Sequence, residues 1–186
     1  MIRQQMLSQR NSHTLSELDT LSVEISKNLV GLDCVAKATT ISTYLNIGSE
    51  VRTDQIVEWA WSHGKRVIVP IVFKAEKQLI FSEIRSREEL ETGAFKIPEP
   101  KPEYRRLVPL EEADVVLIPG VAWDSKGYRV GYGGGFYDRK LNSVRKNLTT
   151  IGLAFEFQIL PDLPKTHYDR HVVMLVTESR IIRAAT

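Results

Sequence analysis

Two short apolar runs, RVIVPIVF at residues 66–73 and VVLIP at 115–119, constrain this chain more than any other feature. Each reads as a strand with no polar face, and such a strand must be covered on both sides. Amphipathic helices supply the cover. A first helix is expected over residues 2–11. Thr14 and Glu17 then stand at capping-box spacing, and Leu18, Leu21, Ile25 and Leu29 step by three and four, giving one buried face. TISTYL reads as a strand, Thr53 as the cap of a helix running through His63 to Gly64, and QLIFSEI, TTIGLAFEF and VVMLVT as further strands. FYDRKLNSVRKNL has helical spacing. IPEPKPE, residues 97–103, carries three prolines and reads as a loop. Helices alternating with short apolar strands predict an α/β sandwich with a largely parallel sheet, in one domain spanning residues 1–186.

Composition narrows the function classes. Apolar content of 42% and charged content of 26% describe a globular protein and argue against disorder. A net charge of +2 with dispersed lysines and arginines gives no nucleic-acid footprint, and no apolar run reaches the roughly 18 residues of a membrane span. The N-terminal stretch MIRQQMLSQRNSHT has no apolar signal core, and the single cysteine, Cys34, reads as a small buried hydrophobe. A cytoplasmic protein is expected, as a monomer or weak dimer with small-molecule partners.

The chemistry concentrates in GYRVGYGGGFYDR, residues 127–139, with five of the chain's 11 glycines. It is neither GxxxxGK[ST] nor GxGxxG, yet Gly131, Gly133, Gly134 and Gly135 let backbone approach a ligand closely. A helix after the loop aims free N–H groups back at it, which suits phosphate, and Arg129 adds a guanidinium. Asp138 would be repelled by bare phosphate and becomes useful once a divalent cation such as Mg²⁺ bridges them. The plainer alternative is a glycine-rich hairpin turn followed by a capped helix.

PGVAWDSKGYRVGYGGGFYDRKL resembles the signature of the 5-formyltetrahydrofolate cyclo-ligase (methenyltetrahydrofolate synthetase) family, roughly PGxxFDxxGxRLGxGxGYYDxxL. YLNIGSEVRT, GAFKIPEP, GLAFEFQ and a late aspartate before VVMLVTE extend the likeness. The resemblance implies a three-layer α/β/α, Rossmann-like sandwich. It also implies ATP- and Mg²⁺-dependent conversion of 5-formyltetrahydrofolate to 5,10-methenyltetrahydrofolate. The formyl oxygen is phosphorylated, and ring closure then expels phosphate. By the same resemblance Arg3 and Arg129 to Tyr137 (Gly131, Tyr132, Gly133, Gly134, Gly135 and Phe136 between them) meet ATP. Tyr132 to Phe136, Leu45 and Glu50 line the folate pocket, and Asp138 and Asp169 are metal-side acids. Arg129 and Tyr137 are the candidate catalytic residues. A carboxylate at Glu50 suits a ring with paired N–H donors. Trp123, at a position where the family has Phe, is a candidate for stacking on a substrate ring and equally for the core.

The chain also departs from the family. It has no lysine four residues before Arg3, and Ile71 and Val173 stand where arginine and aspartate are common. These losses should weaken ATP binding unless Lys65, Arg66 or a neighbour compensates. Two alternatives follow: a non-catalytic nucleotide- or folate-binding relative that regulates one-carbon metabolism, and the same scaffold acting on another formyl substrate.

Overall fold

The computed structural model describes residues 1–144 and 148–184. Helices α1 (Ile2–Ser12), α2 (Leu15–Val30) and α3 (Asp33–Lys37) lead into β1 (Thr40–Ser42). Helix α4 (Asp54–Ser62) crosses to the hairpin β2 (Arg66–Phe73) and β3 (Gln78–Ile84). A two-stranded flap of β4 (Leu90–Thr92) and β5 (Pro98–Pro100) precedes β6 (Arg106–Leu107) and β7 (Val115–Ile118). Next come β8 (Ala122–Asp124), β9 (Arg129–Val130) and α5 (Phe136–Asn142), then β10 (Thr149–Leu153) and β11 (Ile159–Leu160), with β12 (Met174–Val176) and β13 (Ile181–Arg183) last.

The main sheet runs β13-β12-β10-β7-β1-β2-β3-β6. Its centre, β12-β10-β7-β1-β2, is parallel, and the flanking β13, β3 and β6 are antiparallel. Both faces are buried, as the apolar runs require. Val67, Val69, Val115 and Leu117 point to one side, where Leu18, Ile25 and Leu29 of α2 and Ile56 and Ala60 of α4 cover them. Ile68, Val116 and Ile118 point to the other, against Trp123 and Leu141. This is the expected three-layer α/β arrangement. No helix among the described residues is long and apolar enough to cross a membrane.

Local signals resolve as follows. Thr14 and Glu17 form the reciprocal capping box at the start of α2. Thr53 makes no side-chain cap to α4; its hydroxyl instead donates to the Tyr44 carbonyl at 2.8 Å, tying down the loop after β1. TISTYL is strand only over Thr40–Ser42; the Thr43 N–H still donates to the Ile68 carbonyl at 3.0 Å, and the chain leaves the sheet after it. Pro98–Pro100 is not loop but the edge strand β5, paired with β4 alone, where missing N–H groups cost little. Helix α5 stops at Asn142, and the expected continuation over 145–147 lies outside the described residues.

Trp123 is core rather than a stacking platform. It is fully buried, its ring wedged against Gly120 and Gly152, and its indole nitrogen has no hydrogen-bond partner among the described residues. A Cβ on Gly152 would lie 2.5 Å from the Trp123 ring and 2.6 Å from a Leu175 methyl. Gly152→Ala is therefore expected to cost about 1–3 kcal/mol by overpacking, read as a lower urea midpoint with unchanged m-value. Trp123→Phe in the same chain should restore part of that loss.

Candidate functional site

The site forms where three neighbouring parallel strands end. β1 releases the chain at Tyr44 and Leu45, β7 ends at Pro119, and the second half of β2 contributes Pro70 and Val72. These residues and the glycine loop enclose a cavity of about 350 Å³, largely apolar, at the carboxyl edge of the sheet. Ligands of open α/β sheets bind at that edge, where the strand order changes direction, as it does on either side of β1. Pro70 tolerates its missing N–H because the last residue of β1, Ser42, pairs with Ile68, two residues earlier.

The glycine loop does not follow β7 directly. The β8–β9 hairpin intervenes, and its turn, built on Asp124 and Gly127, is where the chain reverses. The loop after β9 is thus free of the hairpin's duties. Arg3 from α1 holds it with Nε donating to the Gly131 carbonyl at 2.7 Å, and Arg139 donates to the carbonyl of Gly134. Gly133 has φ of 102°, a conformation side chains rarely adopt, and the Arg3 guanidinium covers the place a Cβ would take. The chain then enters α5, two turns long, so the loop's carbonyls and the two arginines shape it more than a helix dipole does.

Of the residues anticipated from sequence, Leu45, Glu50, Arg129, Gly131, Tyr132 and Gly134 line the cavity, as do Gly135, Phe136, Tyr137 and Asp138. Gly133, within the loop, and Arg3, packed against it, do not line the cavity; Trp123 is in the core, and Asp169 does not line the cavity either. Asp169 accepts from the backbone N–H and hydroxyl of Thr166 at 2.6 and 3.0 Å, which closes a tight turn. That turn presents the next residue's peptide to the site. Arg170 N–H donates to Asp138 Oδ1 at 3.1 Å, and Arg129 Nη1 donates to the Arg170 carbonyl at 2.9 Å. Arg129 Nη2 completes the triangle with a 2.8 Å ion pair to the same Asp138 oxygen.

Charge is unevenly buried here. The Arg129 side chain is 4% exposed and Asp138 26%. Burial pulls the Arg129 guanidinium down from its usual range, opposed chiefly by Asp138. Burial pushes Glu50 above the ordinary carboxylate range, although the Ile47 N–H (2.9 Å to Oε2), Tyr132, Arg10 and Arg52 all favour its ionised form. The Tyr132 hydroxyl is raised to about 12, by burial first and Glu50 second. Tyr137 is raised further by burial and by Glu50, with Arg129 opposing, so its hydroxyl stays protonated near both charges. Lys65 and Arg66 play no part here. Lys65 binds the carbonyls of Ala36 and Ala38, and Arg66 pairs with Glu83 and Glu112, at the amino end of β2.

Sequence reading missed Arg10, Tyr44, Phe95 and Arg170. Arg10 had a signal: it follows Ile2 and Met6 at four-residue steps, on the side of α1 that packs inward. Arg170 had none, because its contribution is its backbone N–H and carbonyl.

The comparisons with known proteins point to one family. A model of the 5-formyltetrahydrofolate cyclo-ligase family matches residues 1–178. The 5-formyltetrahydrofolate cyclo-ligase of Escherichia coli (strain K12) is 32% identical over 183 residues, covering 97% of this chain and 98% of that one. Its Haemophilus influenzae counterpart is 31% identical over 170 residues, covering 90% and 91%. The solved structure of Aquifex aeolicus 5,10-methenyltetrahydrofolate synthetase superposes with a TM-score of 0.87 at 31% identity, over 100% of this chain and 92% of that one.

Proposed function

The chain belongs to the 5-formyltetrahydrofolate cyclo-ligase family, and from that premise we propose that its cavity closes 5-formyltetrahydrofolate to 5,10-methenyltetrahydrofolate with ATP, as a cytoplasmic enzyme. The observation that carries this reading is one cavity bordered by both a buried carboxylate, Glu50, and a buried cation paired with a part-exposed carboxylate, Arg129–Asp138, with Tyr137 close to each. The first suits the paired N–H donors of a reduced pterin. The second suits phosphate.

In the proposed reaction the γ-phosphoryl group moves to the formyl oxygen and ADP leaves. The second folate nitrogen then attacks the activated carbon, loses its proton, and inorganic phosphate departs as the ring closes. Protein side chains supply little covalent work. Alignment, charge neutralisation and exclusion of water are most of the task. Gly131 to Gly135 admit phosphate oxygens to main-chain range, Arg3 and Arg129 add charge, and the protonated Tyr137 hydroxyl donates without titrating near neutrality.

Mg²⁺ fits only in a particular way. Among the described residues no three His, Cys, Asp or Glu side chains cluster as a protein-built metal site. A cation that arrives on ATP needs one or two carboxylates, and Asp138, lining the cavity, provides one. Asp138 would hold it and Asp169 would act through the turn beside it; when bound, the ion supplies charge neutralisation of the phosphates.

The test is direct. Purified protein with 5-formyltetrahydrofolate and Mg-ATP should generate methenyl-folate absorbance, and omission of ATP should abolish it. No ATP-dependent product at high enzyme concentration sinks the reading.

A further inference from the structure

Arg10 is an arginine with 3% exposure on the inner side of α1, and among the described residues its side chain donates to two hydroxyls and to no carboxylate. Nε donates to Ser49 Oγ at 2.9 Å, and Nη2 donates to the Tyr132 hydroxyl at 2.6 Å. Those two partners belong to different parts of the site. Ser49 stands next to Glu50 in the loop after β1, and Tyr132 is the second residue of the glycine loop. Ser49 in turn donates to Asn11 at 2.6 Å, so consecutive residues of α1 grip the same hydroxyl from two directions.

Because Tyr132 accepts from Arg10, its own proton is left to donate, and the group it faces is Glu50. The result is a relay from guanidinium to phenol to carboxylate. A buried guanidinium is costly without compensation, and Glu50 is a carboxylate whose ionised form this one favours.

We propose that Arg10 is a positioning residue for the folate end of the cavity: it joins the glycine loop to the Glu50 loop and supplies the counter-charge of Glu50. This rests on the reading that Glu50 in carboxylate form receives the pterin's N–H donors. Arg10 lies outside the lining of the cavity, so it acts through Tyr132 and Glu50 and not on the substrate. The other groups that face Glu50 are Arg52 of its own loop, Tyr44 after β1, Tyr132, and Tyr137 of α5. Arg52 is already committed to Asp19 at 2.7 Å and to the Gly48 carbonyl, whereas Arg10 forms no ion pair with another carboxylate among the described residues.

The experiment is equilibrium binding of 5-formyltetrahydrofolate, without ATP, across pH 5 to 9. It uses the full chain, Arg10→Lys and Arg10→Met, with thermal melts of each. Loss of the cation makes Glu50 harder to ionise. The acid limb of binding in Arg10→Met is therefore expected to move up by about one pH unit, with affinity about tenfold weaker along the limb and recovering at high pH. Arg10→Lys should keep the limb at the wild-type position while binding more weakly at every pH, because a compact ammonium does not reproduce the separate Nε and Nη2 donors that reach Ser49 and Tyr132. An unmoved limb in Arg10→Met overturns the proposal, and so does the same pH-independent loss in both variants. Should Arg10→Met fail to fold, Arg10→Lys combined with Tyr132→Phe decides. Losses that are not additive support the relay, and independent, additive losses overturn it. Wild-type protein that binds no folate at any pH overturns the reading of Glu50 as well; wild-type binding that ignores Arg10 overturns this inference alone.

Discussion

Arg129→Met is expected to lower ATP-dependent kcat/KM by about 10²–10³-fold while changing stability by no more than about 1 kcal/mol. Asp138→Asn is expected to lower it by a similar factor but to cost about 3 kcal/mol of stability as well. The difference follows from unequal burial. When Arg129 is removed, the remaining Asp138 is 26% exposed, reaches water, and keeps the Arg170 N–H. When Asp138 is neutralised, a guanidinium at 4% exposure keeps only the Arg170 carbonyl and an amide oxygen. An unpaired buried cation is the expensive outcome. Steady-state kinetics in ATP and urea unfolding of the two variants read both quantities. Unchanged turnover in Asp138→Asn would remove the carboxylate from the phosphate side of the site. Equal stability losses would contradict the assigned burial.

The same triangle shows what a sequence can and cannot disclose. Arg129 and Asp138 are nine residues apart in the glycine-loop region, and their chemistry was legible from the residue types in that loop. Their bridge is the backbone N–H and carbonyl of residue 170, set by a turn that Asp169 closes, and no pattern of side chains announces a main-chain contact. Asp169 is a metal-side acid only by its match to the family, and its turn with Thr166 is a local competition that only geometry settles. The sheet behaves likewise. Continuous apolar runs announce buried strands, and both faces of β2 and β7 are indeed covered. The antiparallel pairing of β3 with β2 comes from a short connection at residues 74–77, and the edge strand β5 survives its prolines because it has one partner. Trp123 shows the limit for large side chains. Its place is decided by two glycines, Gly120 and Gly152, the second far away in sequence, whose missing Cβ atoms make its slot.

Glu50→Gln is expected to weaken 5-formyltetrahydrofolate about 10²-fold, to leave ATP affinity unchanged, and to raise the melting temperature at neutral pH. The first effect follows from the two charge-assisted hydrogen bonds that a carboxylate offers to paired donors and an amide cannot reproduce. The third follows from linkage. Burial raises Glu50 above its unfolded value, and it does so with the Arg10 and Arg52 charges already opposing it. The folded state therefore prefers the protonated form. The stability contributed by Glu50 is fully present below the unfolded value, near pH 4.5, and is lost as pH rises through the higher folded value. Where Glu50 is ionised the wild-type fold holds that ion at a net cost even with the Arg10 and Arg52 charges counted, and glutamine removes the cost while still accepting from the Ile47 N–H. Going down in pH, the stability advantage of Glu50→Gln should shrink as wild-type Glu50 takes up its proton. Over the same window wild-type folate affinity should fall while that of the variant stays flat. Calorimetric binding and thermal melts at pH 5 and 7.5 measure both. A variant that binds folate as tightly as the wild type, or that melts lower at pH 7.5, would show that Glu50 is held for the fold and not for the ligand.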